Sequence, residues 1–330
     1  MERKSKTDLF TMIQDRLSTA SNIAVLCHAY SDGDAIGSAL AIYSAIKRVY
    51  SQTLQSVTCI MEEPVPAKYD FLPGAENMLQ WPEGKGRYDL VVTVDTASAE
   101  LLGHRAELLE GAFVISLDHH SSHTPYSDID VREADYGACG ELVYEFICHI
   151  AGKPTADEAL CLYTAIASDT GGLSQKNATP NSMMVSAMLA QYESVKVDEV
   201  AFRLFKASTY ARNKVMGYCL SNEERYADGK ICFSHITGEI MQETGCTDAD
   251  TEGIVNALFA TEGCEIAILA RETTDGITKC SLRSHHANVA DVAAHFGGGG
   301  HINAAGCRLD TDPKTAAETL AQYILQNGLI

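Results

Sequence analysis

Two stretches of this 330-residue chain, Asp89–Thr96 (DLVVTVDT) and Ala112–His119 (AFVISLDH), run apolar and β-branched without the polar alternation of a strand that has one wet face. Strands of this kind are buried on both faces, which is the pattern of a parallel sheet covered by helices. Their neighbours agree. Asn22–His28 (NIAVLCH) and Ser56–Met61 read as further strands, and Asp34–Tyr50, Cys139–Ala151 and Ala156–Ser168 read as helices. The predicted class is α/β, with an N-terminal, mostly parallel β-sheet flanked by helices.

One core rarely grows past roughly 250 residues, so a second domain is expected. From Asn181 to about Tyr226 the pattern is helical throughout, without a convincing strand. The expected division is a first domain at 1–190, a helical linker at 191–214 and a smaller α/β domain at 215–330. In the latter, strands are expected at Lys230–Thr237, Glu265–Thr273 and Gly276–His285, with helices near Glu252–Thr261 and Val289–Phe296. A glycine run follows, then a last helix from Pro313.

The 11 cysteines are scattered singly through apolar runs with no C-x-x-C pair, which fits reduced, buried thiols rather than disulfides or a zinc ribbon. The N-terminal MERKSKTDLFTMIQDRL reads as a charged amphipathic helix and lacks the apolar core of a secretory signal. No run approaches the roughly 18 apolar residues of a membrane span. A cytoplasmic protein with no membrane partner is expected. The net charge of −19 argues against a generic nucleic-acid coat, so a polyanionic substrate must be met locally, by metal ions or a few placed basic groups.

Four acidic or histidine clusters fall at the ends of first-domain elements, where open α/β sheets bind ligands. The first is His28, Asp32 and Asp34 in HAYSDGDAIGS, a strand end turning through glycine into a helix. Its carboxylates either reach metal ions from one loop or form an Asx turn and cap the helix. Asp95 ends the strand VVTVD, where a buried carboxylate is costly unless paired or metal-bound; capping of a following helix is the plainer alternative. Asp118, His119 and His120 end the next strand. Neighbouring histidines in extended chain point oppositely, so one can ligate metal while the other faces substrate. Asp169 closes a helix against the dipole, so something positive must hold it. Together these residues offer oxygen and nitrogen donors without thiolates, a mix suited to Mn²⁺ or Mg²⁺ and not to structural zinc. Two such ions would support in-line hydrolysis at phosphorus.

In the second domain, Gly297 to Gly300 precede His301 and the run Asn303-Ala-Ala-Gly306. A compact loop is expected there, whose glycines let backbone N–H groups approach an anion; the alternative is a flexible hinge. Arg283, at a strand end, fits a phosphate clamp or an ordinary surface salt bridge. Arg271 and Asn256 are weaker candidates.

The order His-x-x-x-Asp-x-Asp-x-x-Gly-Ser, strand-terminal Asp, Asp-His-His and helix-terminal Asp-Thr-Gly resembles the four motifs of the DHH phosphoesterases. Ser281-Leu-Arg283-Ser284 and the glycine run through Gly306 resemble the DHH-associated C-terminal domain. The resemblance implies His28 and Asp32 on one metal, Asp34, His119 and Asp169 on the other, and Asp95 bridging both. It further implies His120 at the scissile phosphate, with Asp118 orienting a histidine from behind. Gly298, Gly299, Gly300, His301, Asn303 and Arg283 would bind substrate, two divalent ions, Mn²⁺ before Mg²⁺, would be the cofactors, and a homodimer through first-domain helices would match the family.

Chain length and domain pair are similar to the small NrnA-like branch, which implies oligoribonuclease activity on very short RNA and removal of the 3′-phosphate from adenosine 3′,5′-bisphosphate. No extended basic or aromatic track for a long strand is visible. The alternatives are a cyclic or linear dinucleotide phosphodiesterase and a catalytically silent nucleotide-binding regulator. Pyrophosphatases and polyphosphatases share the first four motifs but not the Gly297–Gly306 region.

Overall fold

The computed structural model describes residues 4–273 and 275–330; the first three residues of the expected N-terminal helix lie outside these. The chain forms two compact units, Met1–Ala207 and Ser208–Ile330.

In the first unit, strands β1 (Asn22–Leu26), β2 (Ser56–Met61), β3 (Leu79–Gln80), β4 (Leu90–Val94), β5 (Phe113–Asp118) and β6 (Ile129–Arg132) form one sheet in the order β3-β2-β1-β4-β5-β6. Every neighbouring pair is parallel. Helices α1 (Lys6–Thr19), α2 (Gly33–Val49), α3 (Cys139–Ala151), α4 (Ala156–Asp169) and α5 (Pro180–Leu189) supply the main core. The opposite face, Ala24, Leu26, Ile60 and Val91, is covered by Leu102 and Leu108 of the 3₁₀ segment Ala99–Leu109. Burial on both sides is why β1, β4 and β5 read as unbroken apolar runs. The chain winds outward in one direction through β1, β2 and β3 and in the other through β4, β5 and β6. The switch therefore lies between β1 and β4, where the strand ends open a crevice.

Glycines decide how closely the helices approach. A Cβ on Gly37 of α2 would lie 2.4 Å from the Cys161 carbonyl oxygen of α4, and one on Gly33 would lie 2.5 Å from Ser168 Oγ. Spaced one turn apart, the two clear a track along which α2 lies on α4. An ion pair between an exposed arginine and a buried acid closes the far end of the contact: Arg48 Nη2 donates to Glu158 Oε2 at 2.9 Å, and Glu158 also completes the capping box at Thr155.

The segment 191–214 contains α6 (Val197–Ala201), a π-helical turn at Phe202–Lys206 and the start of α7 (Tyr210–Ser221), separated by non-helical chain at 191–196 and 207–209, and the two units divide within it. The second unit is a mixed sheet of β7 (Glu224–Tyr226), β8 (Ile231–Ile236), β9 (Ile266–Glu272), β10 (Thr278–Ser284), β11 (Gly299–His301) and β12 (Ala304–Leu309), ordered β11-β12-β10-β9-β8-β7. Only β8 and β9 run parallel. Period-two alternation sends Ile231, Phe233, Ile266 and Ile268 to one face, against α10 (Val289–His295) and α11 (Pro313–Gln326). Cys232, Ala267 and Leu269 go to the other, against α7 and α9 (Ile254–Phe259), while α8 (Gly238–Thr244) follows β8. Strand β7 breaks the all-helical expectation up to Tyr226. At three residues on a sheet edge it is too short to show alternation.

Among the described residues no helix is long and apolar enough to cross a membrane, and none of the cysteines is in a disulfide. Gly37→Ala is expected to lower stability by about 1–3 kcal/mol through overpacking of α2 on α4, read as a shift of the urea midpoint. An unchanged midpoint would show that this contact does not hold the helices together.

Candidate metal centre

Parallel strands in register end at one edge, so whatever follows β1, β4 and β5 is gathered there. Leu26 lies opposite Thr93 and Val94 opposite Leu117, which brings His28, Asp95 and His119 to the same level. The two helical carboxylates arrive by packing: Asp34 lies in the first turn of α2 and Asp169 is the last residue of α4, so the glycine-lined contact carries both to the edge. All six predicted ligands are brought together. Donor atoms of His28, Asp32 and Asp95 form one triad, those of Asp34, His119 and Asp169 a second, and those of Asp95, His119 and His120 a third, the atoms within each lying within 4.8 Å of one another.

Asp95 is the hinge of the arrangement. It is 2% exposed, and its backbone sits at φ +51°, a left-handed conformation rare outside glycine. Oδ2 lies 3.7 Å from His28 Nε2, while Oδ1 lies 3.4 Å from His119 Nε2. Oδ1 has no hydrogen-bond partner among the described residues. Buried carboxylate oxygens are ordinarily satisfied, and one left open between two histidine nitrogens and further acids is a place for a cation.

The histidines are prepared for that role. His28 Nδ1 donates to the Ala29 carbonyl at 2.7 Å, and His119 Nδ1 to the Tyr136 carbonyl at 3.1 Å. A carbonyl only accepts, so Nδ1 carries the proton in both rings and Nε2 is turned to the acids. Burial works against a second proton on His28, but Asp32 and Asp95 outweigh it and raise its pKa to about 11. Burial likewise opposes protonation of His119, and Asp95 and Asp34 raise it to about 10. Burial raises the Asp169 carboxyl to about 6, helped by Asp95 and Asp32 and opposed by His119. So many acids in one space hold protons on two imidazoles, and a divalent ion would replace that positive charge. The set fits such an ion: oxygen and imidazole donors, no thiolate, and one open buried oxygen.

Other roles divide cleanly. Asp32 is the N-cap of α2, its Oδ1 accepting from the amides of Asp34 and Ala35, so capping and a place in the first triad coexist in one side chain. Asp34 is buried and accepts from the Cys139 and Gly140 amides, at 2.6 and 2.9 Å, and from Ser38 Oγ, which ties it to the start of α3. Asp118 orients His120 rather than His119: Oδ1 accepts from His120 Nδ1 at 2.8 Å and Oδ2 from His123 Nδ1 at 2.6 Å. That bond raises the His120 pKa. His123, whose Nε2 lies 2.8 Å from Asp130 Oδ1 without hydrogen-bond geometry, backs Asp118 and carries no sequence signal beyond its spacing after Asp-His-His. Asn177, whose Nδ2 donates to the Asp169 carbonyl and Oδ2, carries no sequence signal at all.

In the second unit, Arg283 Nε donates to Asn256 Oδ1 at 3.0 Å, and Arg271 pairs with Asp248. Lys279, Ser281 and Arg283 share one side of β10, and with Asn256 and Arg271 they line a cavity of about 500 Å³. The glycine run is not a compact loop. Gly299, Gly300 and His301 pair as a strand with Gly306, Ala305 and Ala304. A Cβ on Gly298 would meet the Gly306 oxygen at 2.2 Å, and Gly300, at φ +146°, would meet that of Ala304 at 2.5 Å, whereas Gly299 faces open space. Two of these glycines are required by the hairpin itself. Asn303 Nδ2 is engaged by the carbonyls of Ser284 and His285, both at 2.9 Å, and His301 is exposed.

Comparison with known proteins follows the same two units. Residues 22–166 match the DHH family, N-terminal domain, and residues 228–326 match the DHHA1 domain. The chain is 29% identical over 290 residues to a bifunctional oligoribonuclease and PAP phosphatase NrnA of Thermus thermophilus, covering 87% of this chain and 84% of that protein. The protein of the same name in Bacillus subtilis is 24% identical, with 92% and 93% covered. The fold superposes on the crystal structure of an exopolyphosphatase-related protein from Bacteroides fragilis with a TM-score of 0.86 at 23% identity, 98% of each chain being covered. It superposes on exonuclease RecJ bound to manganese with a TM-score of 0.57 at 15% identity, covering 98% and 94%.

Because His28 and His119 are protonated through pH 6–8, a cation must displace protons, and raising the pH eases its entry. Mn²⁺ affinity measured by calorimetry is expected to rise roughly tenfold or more per pH unit in this range, with proton release shown by buffers of different ionisation enthalpy. A flat affinity without proton release would put the cation elsewhere.

Proposed function

We propose that this chain, whose first unit matches the DHH family and whose second matches the DHHA1 domain, hydrolyses the phosphoester bonds of short oligoribonucleotides and of adenosine 3′,5′-bisphosphate, using two divalent metal ions, Mn²⁺ first among them. The observation that carries the reading is Asp95, whose two oxygens face His28 on one side and His119 on the other, which supports one carboxylate common to two ligand sets. His28 and Asp32 would hold one ion, Asp34, His119 and Asp169 the second, and Asp95 both. Bound there, the ions supply Lewis-acid stabilisation of the phosphoryl oxygens and activate a water nucleophile.

The chain's own residues do the rest. His120, fixed through Nδ1 by Asp118 and left partly exposed, presents Nε2 to substrate. Its raised pKa keeps it protonated nearer neutrality, so it can protonate the oxygen that leaves phosphorus as water adds. Arg283, steadied by Asn256, offers its planar fork to a second phosphate, and the adjoining Lys279 adds charge without geometry. The exposed Gly299 and His301 remain candidates for substrate contact; Gly298, Gly300 and Asn303 would act by shaping the hairpin that presents them.

The short-substrate choice is supported by the charge of −19, which leaves few basic groups for a long backbone, and by the end-to-end similarity to bifunctional oligoribonuclease and PAP phosphatases. Thiols buried in the apolar interior of both units support a reducing, cytoplasmic setting.

The test is hydrolysis of an RNA dinucleotide, a trimer, a long RNA, cyclic di-AMP and adenosine 3′,5′-bisphosphate, with Mn²⁺ and with chelator. Fast Mn²⁺-dependent cleavage of the short RNAs and of the bisphosphate is expected; preference for the cyclic dinucleotide would replace this reading, and silence on all of them would leave a binding regulator. Asp95→Ala should cut kcat by about 10³-fold or more, as loss of a ligand common to both ions requires. Normal turnover with full metal content would refute the shared-ligand assignment. Arg283→Ala should chiefly raise KM, and an unchanged KM and kcat would remove Arg283 from the site.

A further inference from the structure

Tyr30 lies two residues after His28 and two before Asp32, so its Cα is within roughly 7 Å of the backbone of each. Yet its side chain is 85% exposed, the most exposed of the large hydrophobic residues among those described. Its backbone is at φ +54°, a left-handed conformation that a bulky residue adopts only when its surroundings impose it. Those surroundings are identifiable. The Tyr30 amide donates to Glu63 Oε2 at 2.8 Å, and the preceding Ala29 amide donates to the Leu101 carbonyl at 2.7 Å. Ser31 Oγ donates back to the His28 carbonyl. The loop is therefore anchored on both sides of Tyr30 while the residue itself stands largely in solvent, and its hydroxyl makes no hydrogen bond among the described residues. Leu101, whose carbonyl anchors the loop, is also exposed, at 47%, which widens the apolar rim.

A strained backbone that displays an exposed aromatic ring has no evident use in folding: a glycine or asparagine would take the left-handed turn at less cost. The ring's value must lie in what it meets from solvent. We propose that Tyr30, flanked by Leu101, is a stacking platform for the nucleobase of a nucleotide whose phosphate occupies the metal centre. The inference rests on the phosphoesterase reading of that centre and names what it recognises beyond phosphate. Every base presents a π face, so the platform accepts purines and pyrimidines alike, as an enzyme that trims RNA of any sequence requires. Rigid anchoring matters here, because a ring already held at the rim loses little freedom when a base settles on it.

Binding of adenosine 5′-monophosphate and of ribose 5-phosphate, which lacks only the base, separates this contact from phosphate recognition. With Mn²⁺ present and the full chain, calorimetry on the wild type should show tighter binding of the nucleotide by about tenfold or more, the range of one aromatic stack. Tyr30→Ala should collapse that ratio towards one with a much smaller change for ribose 5-phosphate, and Tyr30→Phe should restore it. An unchanged ratio in Tyr30→Ala, an equal loss on both ligands, failure of Tyr30→Phe to restore, or a wild type indifferent to the base would each overturn the proposal. Hydrolysis is scored separately: a wild type that turns over no phosphoester refutes the hydrolase reading, while the binding ratio still decides Tyr30.

Discussion

The charge of Asp95 has to be balanced inside the protein, and the ordering of the sheet edge follows from that need. A carboxylate at the end of a strand buried on both faces has lost its water, and among the described residues no arginine or lysine pairs with it. Imidazoles approach instead, and two of them, His28 and His119, are turned by backbone carbonyls so that Nε2 faces the acid. The left-handed backbone at Asp95 is part of the same arrangement, since it swings the carboxylate out of the strand's alternation and into the space between β1 and β5. Strain of this kind persists where the surrounding structure over-determines it, and here a parallel strand on each side does so.

Two carboxylates reach this edge from helices rather than strands, and they depend on close helix packing. Gly33 and Gly37 bring α2 against α4, which sets the separation of Asp34 from Asp169. Asp34 then accepts the first amides of α3, so one acid joins α2 and α3 at the centre. Behind His120 lies a second line of residues, Asp118 and His123, which fixes the ring without entering either proposed ligand set. A side chain so constrained presents one nitrogen in one direction, the condition for selective proton transfer.

How much of this was legible follows from range. The runs around Asp95 and Asp118 announced buried parallel strands because their period is local, and the short strands β3, β6 and β7 were invisible because a few residues carry no period. Asp32 looked like either a cap or a ligand; both readings describe the same oxygen, and only coordinates show that they are compatible. The glycine run misled as to form. Four glycines suggest a loop, yet Gly298 and Gly300 are small because a neighbouring strand's carbonyls leave no room for a Cβ.

By itself, the amino-acid sequence determined the α/β class, the strand ends at which acids and histidines stand, and the chemistry those residue types favour, because hydrophobic period and residue identity are properties of short segments. Tertiary structure alone decided that residues as distant as His28 and Asp169 share one small space, that Asp118 serves His120 while a carbonyl serves His119, and that Tyr30 is held out at the rim. Each of these depends on the register between strands and the approach of one helix to another, distances that no local pattern encodes.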